Sequence, residues 1–184
     1  MARSDSGARR RVLSWALSIL FSAALIAIDL WTKTLAEAHL KGRGIVPILG
    51  NFAVLIFTRN RGAFLSLGEG LGPAVRIALL IVLPAFAFAA LGVYLVAKGI
   101  GGRREGRVGP GAAEMAALAL IIAGGLGNLF DRILYGEVRD FLNFGIGRLR
   151  TGIMNLADLY ILAAVVVIIS ASLLRPRPSA RPEA

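Results

Sequence analysis

The chain has 184 residues, 57% of them hydrophobic and only 17% charged, with a formal net charge of +10 and a mean hydropathy of +0.72. So little charge on so much apolar side chain excludes disorder, a collagen-like fibre and an ordinary water-soluble globule. The absence of Cys excludes a disulfide framework, a thiol nucleophile and a Cys-based metal site, and the single His39 leaves little for a zinc site or a His-based triad.

A helix that crosses a hydrocarbon core of about 30 Å needs about 20 apolar residues, and four segments meet that length. The first, 12–31, follows Arg9, Arg10 and Arg11 and contains one charge, Asp29. It is too long for the apolar stretch of a signal peptide and is read as an uncleaved helix. The connection 33–76 holds short β-prone pieces, Ile45-Val46 and Phe52 to Phe57, broken by Pro47, Gly50 and Asn51, which predicts a small sheet. The second helix, 77–97, carries no charge and should kink at Pro84. A Gly- and Arg-rich loop, Gly99 to Gly111, leads to the third helix, 112–130, with Glu114 at its entrance and Gly124, Gly125 and Gly127 near its exit. The connection 131–153 contains a short apolar segment, Val138 to Phe144, around Asp140. The fourth helix, 154–174, has Asp158 in its first turn, and the Pro-rich tail 175–184 reads as unstructured. The fold class is an all-α polytopic membrane protein with one embedded domain, 1–174, and a disordered cytoplasmic tail.

Lys and Arg set the expected orientation. Eleven of them lie in three short segments, the N-terminus, the second connection and the tail, on one side of an even-numbered bundle. The other ten are spread over two longer connections, which count weakly. Both termini are therefore expected in the cytoplasm. The basic residues flank helix ends instead of forming one face, so a nucleic-acid partner is not expected.

That topology places Asp29, Asp131, Asp140 and Asp158 at one face of the bundle. A carboxylate in or near a membrane is costly and marks a functional site by default. Taken singly, each could be an interface charge paired with Lys33, Arg132 or Arg139. Asp131-Arg132 reads as an ion-paired anchor, and Asn155 and Asp158 could simply cap a helix and favour its dipole. Four carboxylates from three helices and a connection point more strongly to a shared site. Asn128 shares a helical face with Asp131, as Asn155 does with Asp158.

These residues carry a resemblance. Asp29-Leu-Trp-Thr-Lys33, Asn60-Arg-Gly62-Ala63, Gly124-Gly125 through Gly127-Asn128-Leu129-Phe130-Asp131-Arg132, Gly136-Glu-Val138-Arg-Asp140-Phe141 and Asn155-Leu-Ala157-Asp158 resemble, in order, the blocks of the lipoprotein signal peptidase (signal peptidase II) family of membrane aspartic proteases. The residue before Asp140 is Arg139, where that family more often has a small or apolar one. The resemblance implies four transmembrane helices with a small outer β-cradle and an amphipathic helix. It implies Asp140 and Asp158 as the catalytic pair, with Asp29, Lys33, Asn60, Gly62, Asn128, Asp131, Arg132 and Asn155 shaping or supporting the site. The implied substrate is a prolipoprotein whose Cys carries a diacylglyceryl group, cleaved just before that Cys. Inhibition by globomycin-type peptides, contact with membrane lipid, a monomeric state and no cofactor or metal are expected with it. The expected location is the bacterial cytoplasmic (inner) membrane, with the site toward the outer face.

The chemistry suits the residues. Two adjacent carboxylates share one proton, so one can activate water while the other polarises the scissile carbonyl. The alternatives are a proton-coupled transporter, which would place acids at the midplane of a repeated bundle, and a non-catalytic membrane assembly protein.

Overall fold

A computed structural model describes residues 2–62, 72–90 and 112–174. The end of the second helix beyond residue 90, the Gly99–Gly111 loop, the tail from residue 175 and the motif residue Ala63 lie outside the described residues. Helix α1 spans Ala2–Leu40, well past the expected end at Trp31. Lys33 and Glu37 suggest a stop in the sequence, but the stretch after Trp31 is rich in good helix formers and Lys33 is buried instead of wetted. The helix ends where Gly42 and Gly44 adopt positive φ, +79° and +74°.

Helix α2 runs over Pro73–Ala90, with a π-helical turn at Ala78–Val82. Pro84 has no N–H to give to the Leu80 carbonyl, and the widened turn just before it absorbs that loss. Helix α3 spans Ala112–Tyr135, five residues beyond the expected Phe130, and α4 spans Leu156–Leu173. All four helices are long and apolar enough to cross a membrane. Helix α3 is the buried one. A Cβ at Gly127 would stand 2.5 Å from Asp29 Oδ2, and one at Gly124 would run into the Ala157 carbonyl. Small residues there let α1, α3 and α4 close together.

At one end of the bundle sits a four-stranded antiparallel sheet in the order β1 (Val46–Leu49), β2 (Ala53–Asn60), β3 (Val138–Ile146), β4 (Leu149–Arg150). The sheet predicted within 33–76 is thus half of the observed one. Its longest strand comes from the other connection, where the segment around Asp140 shows no clean polar alternation because β3 is buried on both faces from Val138 to Asn143. Among the described residues between Leu40 and Pro73 there is no amphipathic helix. A register shift in β2 between Leu55 and Thr58 pairs Thr58 with Asp140 and Asn60 with Val138. Side chains alternate along a strand, so Thr58, Asn60, Val138 and Asp140 share one face.

Candidate active site

Helix α4 begins with a capping box. The Asn155 side chain accepts from Asp158 N–H at 3.1 Å, and Asp158 Oδ2 accepts from Asn155 N–H at 3.2 Å. The capping role expected of these residues is therefore real, and it is only part of what they do. Asn155 Nδ2 also donates to Asp140 Oδ1 at 2.6 Å and to Asn128 Oδ1 at 3.0 Å. Asn128 Nδ2 donates to Asp158 Oδ1 at 2.9 Å. Asn60 Nδ2 donates to Asp140 Oδ2 at 3.0 Å, while its own side-chain oxygen accepts from Gly62 N–H at 2.9 Å. Three asparagines on three elements thus hold two carboxylates in one buried network. Each carboxylate oxygen accepts one N–H.

Burial pushes the Asp140 carboxyl up to about 7, with the neighbouring Asp158 charge adding to the rise and the Asn60 and Asn155 amides opposing it. A carboxyl at that value exchanges its proton near neutral pH, as a general acid or base requires.

Behind this network lies a second layer. Lys33 is fully buried, with Nζ 2.9 Å from Asn128 Oδ1, 2.7 Å from Asp29 Oδ2 and 3.8 Å from Asp131 Oδ2. Asp29 Oδ1 accepts from Ala157 N–H at 2.9 Å, tying α1 to the first turn of α4. The expected Asp131–Arg132 pair is not formed. Adjacent residues of a helix point about 100° apart, and Asp131 turns instead to Arg139, taking its Nη2 at 2.7 Å, Nε at 3.2 Å and backbone N–H at 3.1 Å. Arg132 donates to Gly62 O at 3.0 Å, and its buried Nε has no hydrogen-bond partner.

Arg139 is the residue whose role the sequence did not disclose. Its guanidinium also lies 4.6 Å from the Tyr135 ring centroid and 3.7 Å from Glu37. The signal for it was a charge within an apolar segment, one residue from a buried Asp and so on the opposite strand face. An outer network, Arg59 bridging Glu37 and Glu137 at 2.5 Å each and Arg61 with Glu137 at 3.2 Å, also went unread.

A cavity of about 460 Å³ opens between α2, α3 and α4. Asn128, Arg132 and Asp158 form its polar end, and Leu80, Phe88, Ile161 and Val165 are among its apolar walls. Asp140 is not part of the lining and lies deeper, 1% exposed, behind the asparagines. All ten site residues expected from the sequence fall in or directly behind this network.

Four apolar helices under a small sheet, with two buried carboxylates in one hydrogen-bond network and one of them, Asp158, at the polar end of a largely apolar trough, define an integral membrane protein of the aspartic-peptidase class. The sequence pattern described as "Signal peptidase (SPase) II" matches residues 21–174. Lipoprotein signal peptidases from Azoarcus sp. (strain BH72) and Treponema denticola are each 34% identical to this chain. The first alignment covers 94% of this chain and 90% of the relative, the second 79% and 82%. A bacterial membrane enzyme solved by the in meso method superposes with a TM-score of 0.72 at 25% identity, covering 92% of this chain and 94% of its own. The chain belongs to the signal peptidase II family, and is a multi-pass bacterial membrane peptidase. These likenesses give no support to the transporter or assembly readings.

Proposed function

We propose that Asp140 and Asp158 are the catalytic pair with which this enzyme removes the signal peptides of prolipoproteins. The observation that supports this most is that Asn155 binds both carboxylates at once, through Nδ2 to Asp140 and through N–H to Asp158. One carboxylate, ionised, takes a proton from water as the oxygen attacks the scissile carbonyl. The other, protonated, donates to the carbonyl oxygen, and collapse of the tetrahedral intermediate returns a proton to the leaving amine. Lys33, Asn128, Asn155 and Asn60 orient the pair, and Asp29 and Asp131 hold Lys33. Arg132 Nε, buried and unpartnered beside Asp158, offers a donor to substrate backbone, and Gly62 positions Arg132.

The finer expectations stand with this reading. The substrate's Cys carries diacylglyceryl, the cut falls just before it, and the apolar trough accepts the apolar stretch of the signal peptide. Globomycin-type peptides occupy the same trough. The enzyme acts as a monomer surrounded by lipid, with both termini cytoplasmic and the carboxylates toward the outer face. The test is cleavage by the purified chain in lipid of one prolipoprotein with and without the diacylglyceryl group. Mass spectrometry should find the lipid-bearing Cys as the new N-terminus, only with the modified substrate. Equal cleavage of both forms would contradict the substrate assignment.

A further inference from the structure

The distal edge of the sheet carries apolar side chains that the described residues leave half or more exposed. Ile48, Leu49 and Phe52 on the β1–β2 turn, and Ile146 and Leu149 on the β3–β4 hairpin, are 51–84% exposed. The two turns are neighbours, because Phe52 O accepts from Gly145 N–H at 2.8 Å and Asn51 O from Arg150 Nη1 at 2.7 Å. Gly50 and Gly147, at φ +53° and +59°, close them tightly. The result is one contiguous apolar edge, of the kind that marks an interaction surface.

The path of β3 says what that edge meets. Arg139 reaches Thr34 and Glu37 on α1 and Asp131 and Tyr135 on α3. Three residues later Leu142 pairs with Met154, just ahead of α4. The strand therefore runs across the helix ends, not away from them. Four more residues, at about 3.3 Å each, carry Ile146 about 13 Å past the start of α4, roughly the diameter of a helix. The end of α3 beside the sheet also presents bulky apolar and aromatic side chains outward, with Phe130, Ile133, Leu134 and Tyr135 43–61% exposed. Charge agrees. Residues 38–58 and 141–157 contain no Asp or Glu and carry Lys41, Arg43, Arg148 and Arg150. Apolar tips with Lys41 and Arg43 behind them at the far end of β1, and with Arg148 in the β3–β4 turn on a side chain long enough to reach back toward the surface, match acyl chains beneath negative phosphates.

We propose that the β1–β2 turn and the β3–β4 hairpin dip into the bilayer leaflet on the sheet's side. The five apolar side chains sit among the upper acyl chains, with Arg148, Lys41 and Arg43 at the phosphates. This gives β3 a second hold besides the helices and fixes the depth of Asp140. The inference does not rest on the catalytic assignment.

The absence of native Cys makes the test direct. Ile146→Cys and Leu149→Cys are spin-labelled in phosphatidylethanolamine–phosphatidylglycerol nanodiscs, one enzyme per disc and no substrate. Val166→Cys on the exposed face of α4 serves as lipid reference and Arg61→Cys as water reference. The expected result is that both tip labels collide with oxygen more than with a nickel chelate, as at Val166. Tip labels as open to the chelate as Arg61 would overturn the proposal. So would burial that appears only when prolipoprotein is added, or only when two copies share a disc.

Discussion

Lys33 Nζ donates to the side-chain oxygen of Asn128 at 2.9 Å, and this bond decides which way the Asn128 amide faces. A lysine can only donate, so the amide oxygen must turn to it and the NH2 must turn to Asp158. A buried cation on α1 thereby sets the donor presented to a carboxylate on α4.

Lys33→Met is therefore expected to lower turnover more than it lowers substrate affinity, because the Asn128 amide loses the constraint on its orientation. It also leaves the buried Asp29 without its ion-pair partner, which costs on the order of 3–5 kcal/mol, whereas Asp131 keeps Arg139. Lys33→Met with Asp29→Asn should recover folded yield but not turnover. Recovery of both would reduce Lys33 to a structural charge.

The two basic neighbours of the site should part ways. Arg139→Leu removes the main partner of Asp131, which is fully buried, and is expected to destabilise by about 3–5 kcal/mol. Asp131→Leu should cost much less in the Arg139→Leu background than alone, a coupling readable in a double-mutant cycle of detergent melting curves. Arg132→Ala breaks no ion pair and should leave the melting temperature near that of the parent while lowering kcat/KM.

Asp140 titrates at about 7 where an ordinary Asp titrates near 3.8. Between those values the folded protein holds a proton that the unfolded chain has lost, so stability falls as pH rises from about 4 to about 7. Asp140→Asn carries no such proton. It should abolish most of that fall and gain on the order of 1–3 kcal/mol over the parent above pH ~7. Parallel melting-temperature curves against pH for the two proteins would contradict the assignment.

Activity should follow a bell-shaped pH profile whose limbs belong to the carboxylate pair, with the descending limb near pH 7 set by loss of the shared proton. Asn60→Leu deletes a donor that favours the ionised Asp140. Its pKa then rises, and the descending limb should move to higher pH. A limb that moves to lower pH would reverse the role given to Asn60.

Much of this was legible in the residues. Long apolar runs mark the membrane spans because the bilayer imposes a length, and Asp29, Asn128, Asp140 and Asp158 stand out because polar groups are costly there. Boundaries were less legible. Helix α1 runs nine residues past Trp31 since Lys33 is satisfied by Asp29 and Asn128, a tertiary fact that local composition does not carry. Strand β3 hid because both its faces are covered, and the Arg139–Asp131 pair hid because it joins a strand to a helix eight residues back. Adjacency in the sequence pointed instead to Arg132, which helical geometry turns away.

The central claim is that one proton shared by Asp140 and Asp158 performs the cleavage. Asp140→Asn and Asp158→Asn, purified in lipid and given a diacylglyceryl-modified prolipoprotein, test it most directly. Each should bind the substrate, keep a cooperative melting transition and release no signal peptide, since Asn keeps the shape and several of the hydrogen bonds but cannot exchange the proton. Near-parental turnover by either folded variant would contradict the account.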